Sequence, residues 1–351
     1  MKFKVAFLGA GHFGYALAYR FARAEIETMI WGRSAMTFAY PMGANRDFPA
    51  RPTPLCLRCM VGDFPDNLKE FGLIFVTTDS SGVEDVLDQV SKQEVTAPVL
   101  LVQKGLINGK SPVSLAQDRG LNAGSFTGAA FALDVFNGAE AMMIVASQSE
   151  SVRETVMQTV RPLKFWTAPC DRPDAICAVN VARTIASVEM GMLLGYAKRV
   201  KEAEQVPAGD FSPTELAAAA SSIEYECQVV ACVLDKGCYD LFLSPREADS
   251  IPGRSRITRV LRADQLLCSG MIGESKSRNW RYGYAQGQRR EPEICDGVVE
   301  GVGSIIDLAK RWKEEILPPF FASAARVIAG ETTVHEEITV IRARRDAWYQ
   351  Q

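Results

Sequence analysis

The N-terminal stretch Phe3-Lys-Val-Ala-Phe-Leu-Gly-Ala-Gly-His-Phe-Gly14 decides the fold that we predict for this chain. Residues 3–8 are an apolar run typical of a buried strand, and residues 15–22 have the composition of a helix. Between them, Gly9 permits a tight turn, Gly11 lets the backbone approach a pyrophosphate, and Gly14 lets helix and strand pack closely. A helix N-terminus there adds N–H groups and a dipole that favour phosphate. The stretch therefore predicts a phosphate-binding turn.

The rest of the chain divides into two patterns. In the first, apolar runs alternate with helical stretches, which indicates a mostly parallel, doubly wound sheet. In the second, from residue 174 onward, long alanine-rich segments predict helices. We predict an α/β fold, with an N-terminal Rossmann domain at residues 1–170 and an all-helical C-terminal domain at residues 171–351. The predicted strands are residues 28–31, 73–76, 98–102 and 141–145, and the predicted helices are residues 83–90, 175–201, 212–243 and 303–313.

Composition excludes several classes of function. The chain has 351 residues, of which 47% are apolar and 23% charged, and a net charge of −3. These values are typical of a globular protein and give no reason to expect a nucleic acid or a membrane as partner. No run of 18 apolar residues predicts a membrane span. Nine scattered cysteines favour reduced thiols and a cytoplasmic location. A homodimer is a further expectation.

Histidine is scarce, since His12 and His335 are the only two in the chain. A histidine-driven hydrolase or a multi-histidine metal site therefore has almost no material. Cys56 and Cys59 form a CxxC pair without a second pair, so we expect no metal site. Proton chemistry must come from lysine, carboxylate or cysteine.

The cofactor is predicted from the end of the second strand, which reads Trp31-Gly-Arg-Ser34. An acid at this point would bind the ribose 2′-hydroxyl of NAD, but none is present. Arg33 could instead bind a 2′-phosphate, stack on adenine or point into solvent. We therefore expect NADP(H) as the preferred cofactor, with NAD(H) as the alternative.

Several motifs together resemble the family of NAD(P)-dependent glycerol-3-phosphate dehydrogenases. They occur in the family's order along most of the chain. The motifs are Leu8-Gly-Ala-Gly-His-Phe-Gly-Tyr-Ala-Leu-Ala18, Trp31-Gly-Arg33, Gln103-Lys104-Gly105, Thr127-Gly-Ala-Ala-Phe-Ala132, Ser277-Arg278-Asn279-x-x-x-Gly283 and Val299-Glu-Gly-Val302.

The resemblance implies a set of site residues. For the cofactor these are Gly9, Gly11, His12, Phe13, Gly14, Arg33, Lys104, Ala132, Arg278, Val298 and Glu300. For a small anionic substrate they are Lys104, Gly128, Asn180, Asp264, Ser277, Arg278 and Asn279. The planar fork of an arginine such as Arg278 suits a phosphate.

The chain departs from the family at its catalytic lysine. The family has a Lys-Asn pair on the first helix of the second domain, where this chain has Val179 and Asn180. Arg183 would lie on the same helix face one turn later. Lys104, directly after a predicted buried strand, becomes the candidate catalytic acid or base, since ligands bind at the carboxyl edge of such sheets. Glu226 matches a family glutamate.

Three functions follow from this balance. The first is an NAD(P)H-dependent oxidoreductase that interconverts a hydroxyl and a ketone on a small phosphorylated or anionic substrate. The second is a dinucleotide-binding protein whose catalysis is impaired by the loss of the lysine. The third is a dehydrogenase of the same architecture with an opine-type or other anionic substrate, which rests on architecture alone.

Overall fold

The computed structural model of this chain forms two compact units, each described here by itself. The sheet unit falls within Met1–Gln103, Lys110–Asp174 and Leu243–Asp264, and the helical unit within Lys104–Gly109, Ala175–Phe242 and Gln265–Gln351. The domain boundary after residue 170 stays a prediction. The described residues are 3–34, 48, 51–202, 213–236, 238, 257, 261, 277–288, 299–312, 318–337 and 340.

The described part of the sheet unit contains eight strands in the order β3-β2-β1-β4-β5-β6-β7-β8. All neighbouring pairs are parallel except β6 and β7. The predicted doubly wound, mostly parallel sheet is therefore confirmed. The strands are β1 (Lys4–Leu8), β2 (Glu27–Gly32), β3 (Leu57–Val61), β4 (Leu73–Val76), β5 (Val99–Leu101), β6 (Ala123–Ala129), β7 (Met142–Ala146) and β8 (Trp166–Cys170).

Helices connect strands of the sheet and make up the described part of the second unit, as the sequence predicted, but the helix predicted at residues 212–243 ends at Leu234. Those before residue 170 are α1 (His12–Arg23), α2 (Val83–Ser91), α3 (Pro112–Gln117), α4 (Ala132–Asn137) and α5 (Glu150–Val160). The later ones are α6 (Pro173–Glu202), α7 (Pro213–Leu234), α8 (Arg278–Gly287), α9 (Glu300–Arg311) and α10 (Pro319–Ile328). Both α1 and α9 begin three residues before the predicted helices.

The core of the sheet unit is built around aromatic side chains on the central strands. Phe7 of β1 and Phe75 of β4 are register partners, and their rings stack with centroids 4.8 Å apart. Phe21 of α1 meets both rings edge-on at 5.3 and 5.5 Å. These contacts fix α1 against the sheet and so fix the position of the glycine turn before it.

The apolar helix α6 is long enough to cross a bilayer by length and composition. The most apolar 18-residue window of its span Pro173–Arg199 has a mean hydropathy of 1.3, yet 94% of that window is buried inside the protein. Burial of this extent is typical of a core helix.

Paired glycines bring α6 and α8 into backbone contact. A Cβ atom built at Gly283 of α8 would overlap the carbonyl oxygen of Val188 on α6, and one at Gly191 of α6 would overlap that of Trp280. Gly195 and Gly287 repeat the arrangement one turn on. The two GxxxG spacings therefore set the distance between these helices.

Replacing Gly283 with alanine should destabilise the helical unit. Alanine favours an isolated helix by about 1 kcal/mol, but backbone that must move to admit the methyl group costs about 1–3 kcal/mol. We expect Gly283→Ala to lower the melting temperature. Gly303→Ala is the matched control in α9, because no atom lies within 4 Å of a Cβ built there, and it should be neutral or stabilising. Equal effects of the two substitutions would contradict the packing argument.

Candidate functional site

The predicted phosphate-binding turn lies between β1 and α1. The backbone geometry requires glycine at the first and last positions of its motif, Gly9 and Gly14. Gly9 has a φ of +120°, and a Cβ atom there would overlap the backbone of Thr77 and Thr78. A Cβ atom at Gly14 would overlap the carbonyl oxygen of Gly9. Thr77 Oγ1 donates a hydrogen bond to that same oxygen at 2.6 Å. The turn is therefore held against the end of β4.

Gly11 differs from these two because the space beside it is open. No atom lies within 4 Å of a Cβ built at Gly11, and its φ of −66° is accessible to any residue. Gly11 is the N-cap of α1 and supplies no side-chain hydrogen bond to the first turn. This open cradle of helix N–H groups fits the pyrophosphate of a dinucleotide.

The neighbouring candidates His12 and Phe13 open α1. His12 is exposed, and its ring centroid lies 6.1 Å from that of Phe48. Phe13 is half-buried and packs against the core of the sheet unit. Of the two, His12 is the side chain that a ligand at the turn can reach.

Arg33 lies at the carboxyl edge of the sheet, just beyond β2. Its side chain is exposed, and its Nη2 atom is 3.8 Å from a Cβ built at Gly82. Gly82 ends the short turn after β4, which Asp79 caps by accepting a hydrogen bond from the Gly82 N–H at 3.1 Å. Arg33 therefore lies where doubly wound sheets bind ligands.

Two buried oxygens at this edge have no hydrogen-bond donor among the described residues. They are Thr78 Oγ1, after β4, and Gln103 Oε1, after β5. The other end of the Gln103 amide donates to the carbonyl oxygens of Val76 and Thr78 at 3.1 and 2.8 Å. Unsatisfied buried oxygens are uncommon and concentrate where a ligand or water completes the structure.

Gly128 and Ala132 lie at the end of β6 and the start of α4. A Cβ atom at Gly128 would overlap the carbonyl oxygen of Met142 on β7, so strand packing explains this glycine. Ala132 is half-buried in the first turn of α4. Their contacts with substrate and cofactor stay predictions.

Lys104 lies in the helical unit and not directly after a strand. β5 ends at Leu101, and the segment Lys104–Gly109 groups with the helices. The Lys104 main-chain N–H donates to Glu300 Oε1 at 3.3 Å, at the start of α9. The Gly301 N–H next to Glu300 donates to Asn279 Oδ1 at 2.8 Å. Three predicted site residues, Lys104, Asn279 and Glu300, are therefore joined in one polar cluster.

Ser277 and Arg278 begin α8 beside this cluster. The Ser277 hydroxyl caps the helix by accepting from the Trp280 N–H at 3.5 Å, and it lies 3.2 Å from the Ser187 hydroxyl of α6. Ser277 is buried, whereas Arg278 is exposed. The serine therefore has a structural role, and the arginine is the group that a solute can reach.

The family's lysine position lies in a buried stretch of α6. Val179 is fully buried, and Asn180 and Arg183 are only 2% and 3% exposed. A Cβ atom built at Gly301 of α9 would overlap the carbonyl oxygen of Thr184, the residue after Arg183 on α6. Thus α6 packs against the start of α9 one turn after Asn180. The remaining candidates, Asp264 and Val298, lie outside the described residues.

The CxxC pair occupies an edge strand. Cys59 lies on β3, and burial raises the pKa of its thiol to about 11. Cys56 just precedes the strand, and both cysteines are free. Within the part of the chain that the structure describes, no group of three or more His, Cys, Asp or Glu residues could hold a metal ion.

Glu189 and Glu226 form a buried pair of carboxyl groups in the helical unit. The sequence did not predict this pair, since Glu226 was identified only by its match to a family glutamate. Glu226 of α7 accepts hydrogen bonds from the N–H groups of Phe320 and Phe321, at 3.0 and 3.3 Å, and so caps α10. Burial raises its pKa to about 8, although these two donors oppose the shift. Burial, and then the charge of Glu226, also raise the pKa of Glu189 well above its ordinary value. Hydrophobic periodicity and composition cannot show that α6 and α7 place Glu189 and Glu226 near each other.

Raised carboxyl pKa values make stability depend on pH. The folded protein holds these protons more tightly than the unfolded chain, so the free energy of unfolding falls as the pH rises from about 4.5 to about 8. At about 1.4 kcal/mol per pKa unit, the shift of Glu226 alone corresponds to a loss on the order of 5 kcal/mol. The double variant Glu189→Gln, Glu226→Gln should lose this slope in denaturant titrations at several pH values, because glutamine stays neutral and still accepts from both amides. An unchanged slope would contradict the assignment.

Comparisons with known proteins agree with the motifs. Residues 4–153 match the family model of the NAD-dependent glycerol-3-phosphate dehydrogenase N-terminus. A relative from Paucimonas lemoignei, named glycerol-3-phosphate dehydrogenase [NAD(P)+], is 25% identical over 204 residues. The match covers 55% of this chain and 60% of the relative, so the chain spans less than two thirds of the length of that protein.

Solved structures extend the likeness of fold to nearly the whole chain. The glycerol-3-phosphate dehydrogenase of Coxiella burnetii matches with a TM-score of 0.76 and 16% identity, over 98% of this chain and 99% of that one. The yeast enzyme matches with a TM-score of 0.67 and 14% identity, over 97% and 99% of the two chains. The names of the sequence relatives support a nicotinamide dinucleotide as cofactor. The glycine turn, the sheet order and the motifs agree with these comparisons, and residues 4–153 are similar to the N-terminal domain of NAD-dependent glycerol-3-phosphate dehydrogenases.

Proposed function

We propose that this chain is an NAD(P)H-dependent dehydrogenase that interconverts a hydroxyl and a ketone on a small phosphorylated substrate, with glycerol 3-phosphate as the first candidate. The main support for this proposal is the open space beside Gly11. No side chain caps the helix α1 that begins there, so its first N–H groups can bind a pyrophosphate. The names of the relatives supply the substrate class.

The chain's own residues divide the work. The N–H groups that open α1 would hold the pyrophosphate, and Arg33 would hold the adenosine end. When bound, a nicotinamide dinucleotide supplies the hydride chemistry. Lys104 would supply positive charge and a proton at the reacting oxygen, while Arg278 and Asn279 would hold the substrate's anionic group.

The direct test is a screen of NADPH oxidation. Dihydroxyacetone phosphate, other small keto phosphates and keto acids would be supplied in turn, and absorbance at the nicotinamide band followed. Turnover of a keto phosphate supports the proposal. Turnover of keto acids alone would favour the opine-type alternative.

A second candidate function is dinucleotide binding without efficient catalysis. Val179 favours it, because a buried valine stands where the family has its proton-transferring lysine. Tight NADPH binding with no carbonyl substrate turned over would support this candidate.

The preference between the two dinucleotides should depend on Arg33. An exposed guanidinium at the end of β2, with no acid beside it in the sequence, favours a 2′-phosphate over a free hydroxyl. We expect wild type to bind NADPH more tightly than NADH, and Arg33→Ala to lose roughly tenfold or more of its NADPH affinity while sparing NADH. Arg58→Ala, which removes an exposed arginine on β3, is the matched control. Tighter binding of NADH by the wild-type protein would contradict this role.

A further inference from the structure

A pocket of about 320 Å³ lies in the sheet unit at the far end of α1 from the glycine turn. His12 and Arg23 bound α1 and are eleven residues apart, which corresponds to about 16 Å along a helix. The pocket is therefore separate from the cradle at Gly11. Its lining residues are Tyr19, Arg20, Arg23, Arg51, Phe136, Asn137 and Gly138.

Among the described residues that line this pocket, three carry a guanidinium group and none carries a carboxylate. Among the described residues, no carboxylate oxygen lies within 4 Å of Arg20, Arg23 or Arg51. Elsewhere in the described chain arginines do form such pairs, as Arg119 does with Asp88 at 2.6 Å. The positive charge in the pocket is thus concentrated, and no carboxylate of the described residues pairs with it.

Neutral groups hold two of these arginines in place. Arg20 Nη2 donates to the carbonyl oxygen of Leu163 at 3.0 Å. Arg51 Nη2 donates to Asn137 Oδ1 at 2.8 Å, and its guanidinium carbon lies 5.2 Å from the centroid of the Phe136 ring. Burial, and then the charge of Arg23, lower the pKa of Arg20. The described contacts of these arginines are therefore with neutral groups, and the guanidinium groups lie close enough for the charge of one to act on another.

The helix dipole explains only part of this arrangement. Arg20 and Arg23 lie in the last turn of α1, where cations are favoured by about 0.3–1 kcal/mol. Arg51 belongs to the segment before β3, far from α1 in sequence, yet it lines the same pocket. Three arginines from two segments suit an anion that accepts several hydrogen bonds, since guanidinium binds phosphate in a bidentate manner.

We propose that this pocket binds a phosphate group, carried by a small phosphorylated metabolite or free in solution, at a site separate from the dinucleotide and substrate residues. The rings of Tyr19 and Phe136, 4.4 Å apart, give one wall an apolar surface that favours a phosphate ester with a carbon skeleton. The volume lies at the lower end of the range for small-molecule pockets.

The test is calorimetric titration of the full chain with phenyl phosphate and with inorganic phosphate at low ionic strength, where screening is weak. We expect saturable binding of phenyl phosphate that weakens at least tenfold in Arg23→Gln, Arg51→Gln. The double variant Arg58→Gln, Lys92→Gln removes the same charge from exposed positions and should bind as wild type does. Equal affinity for both probes would assign the site to free phosphate, and tighter binding of phenyl phosphate to an ester.

Two further variants keep the test decisive. Arg23→Gln alone changes an exposed residue with no described side-chain bond, so it should fold normally and still weaken binding several-fold. Arg278→Gln removes the candidate substrate arginine and should leave this binding intact. The proposal is overturned if wild type shows no saturable heat, if the pocket variants bind like their control, or if only Arg278→Gln abolishes binding.

Discussion

Gly11→Val should abolish the binding of NADH and NADPH while leaving the protein folded. The backbone at Gly11 is extended and has a negative φ, and no atom lies within 4 Å of a Cβ built there. Valine therefore fits the unliganded protein without strain. Its side chain would occupy the space above the first turn of α1, where the pyrophosphate must approach the N–H groups. Calorimetry with each dinucleotide measures the loss, and thermal unfolding verifies the fold.

The neighbouring glycine provides the contrast. A Cβ atom at Gly14 would overlap the carbonyl oxygen of Gly9, so Gly14→Ala should lower stability together with binding. Loss of binding alone in Gly11→Val, beside loss of both properties in Gly14→Ala, would separate the ligand cradle from the packing of the turn. Unchanged affinity of Gly11→Val for both dinucleotides would remove the cradle from the proposed function.

The central strands could be predicted because they are buried on both faces. β1 and β4 lie in the middle of the sheet, and every residue of β4 is buried, so each reads as a continuous apolar run. The glycine turn could be located because backbone overlaps require glycine at positions 9 and 14, and the approach of a ligand accounts for Gly11 between them.

The strands that were not predicted lack this signature. β3 and β8 are the two edges of the sheet and consist mostly of exposed or half-buried residues, and β8 contains Pro169. β6 is buried but composed largely of small residues, because Gly124 and Gly128 lie against the backbone of β7. Because the residues of β6 are small, a search for apolar runs does not detect this buried strand.

The hydrogen-bond partner of Lys104 could not be predicted from the sequence. Its distance from Glu300 is 196 positions along the chain, and only the folded helical unit joins them. The strand predicted at residues 98–102 ends one residue earlier, at Leu101, so Lys104 lies three residues beyond β5, and the intervening Gln103 donates its amide to the carbonyl oxygen of Val76 on β4. The contact of Asn279 with the start of α9 likewise joins residues 22 positions apart, and the sequence did not predict it.

Lys104→Ala should lower NADPH-dependent reduction at least ~100-fold, since general acid–base assistance contributes about 10²- to 10⁴-fold. This expectation rests on the proposed function. The described contact of Lys104 with Glu300 is made by its main-chain N–H, which alanine keeps, so the substitution removes the ammonium group and retains this contact. Lys110→Ala, which breaks only an exposed ion pair with Asp118, is the matched control and should retain activity. Equal rates for wild type and Lys104→Ala would leave Lys104 without a catalytic role.

The remaining question is whether Val179 has ended the family's chemistry, and Val179→Lys addresses it directly. The position is fully buried, and the buried Arg183 lies one turn on along α6. Burial and a neighbouring positive charge both lower the pKa of an introduced amine, which brings it toward the range needed for proton transfer at neutral pH. We therefore expect Val179→Lys to raise the turnover of dihydroxyacetone phosphate, at some cost in melting temperature, and Val179→Met, of similar length but without the amine, to give no gain. If neither wild type nor Val179→Lys reduces any carbonyl substrate while NADPH still binds, the protein is a dinucleotide-binding protein and not a dehydrogenase.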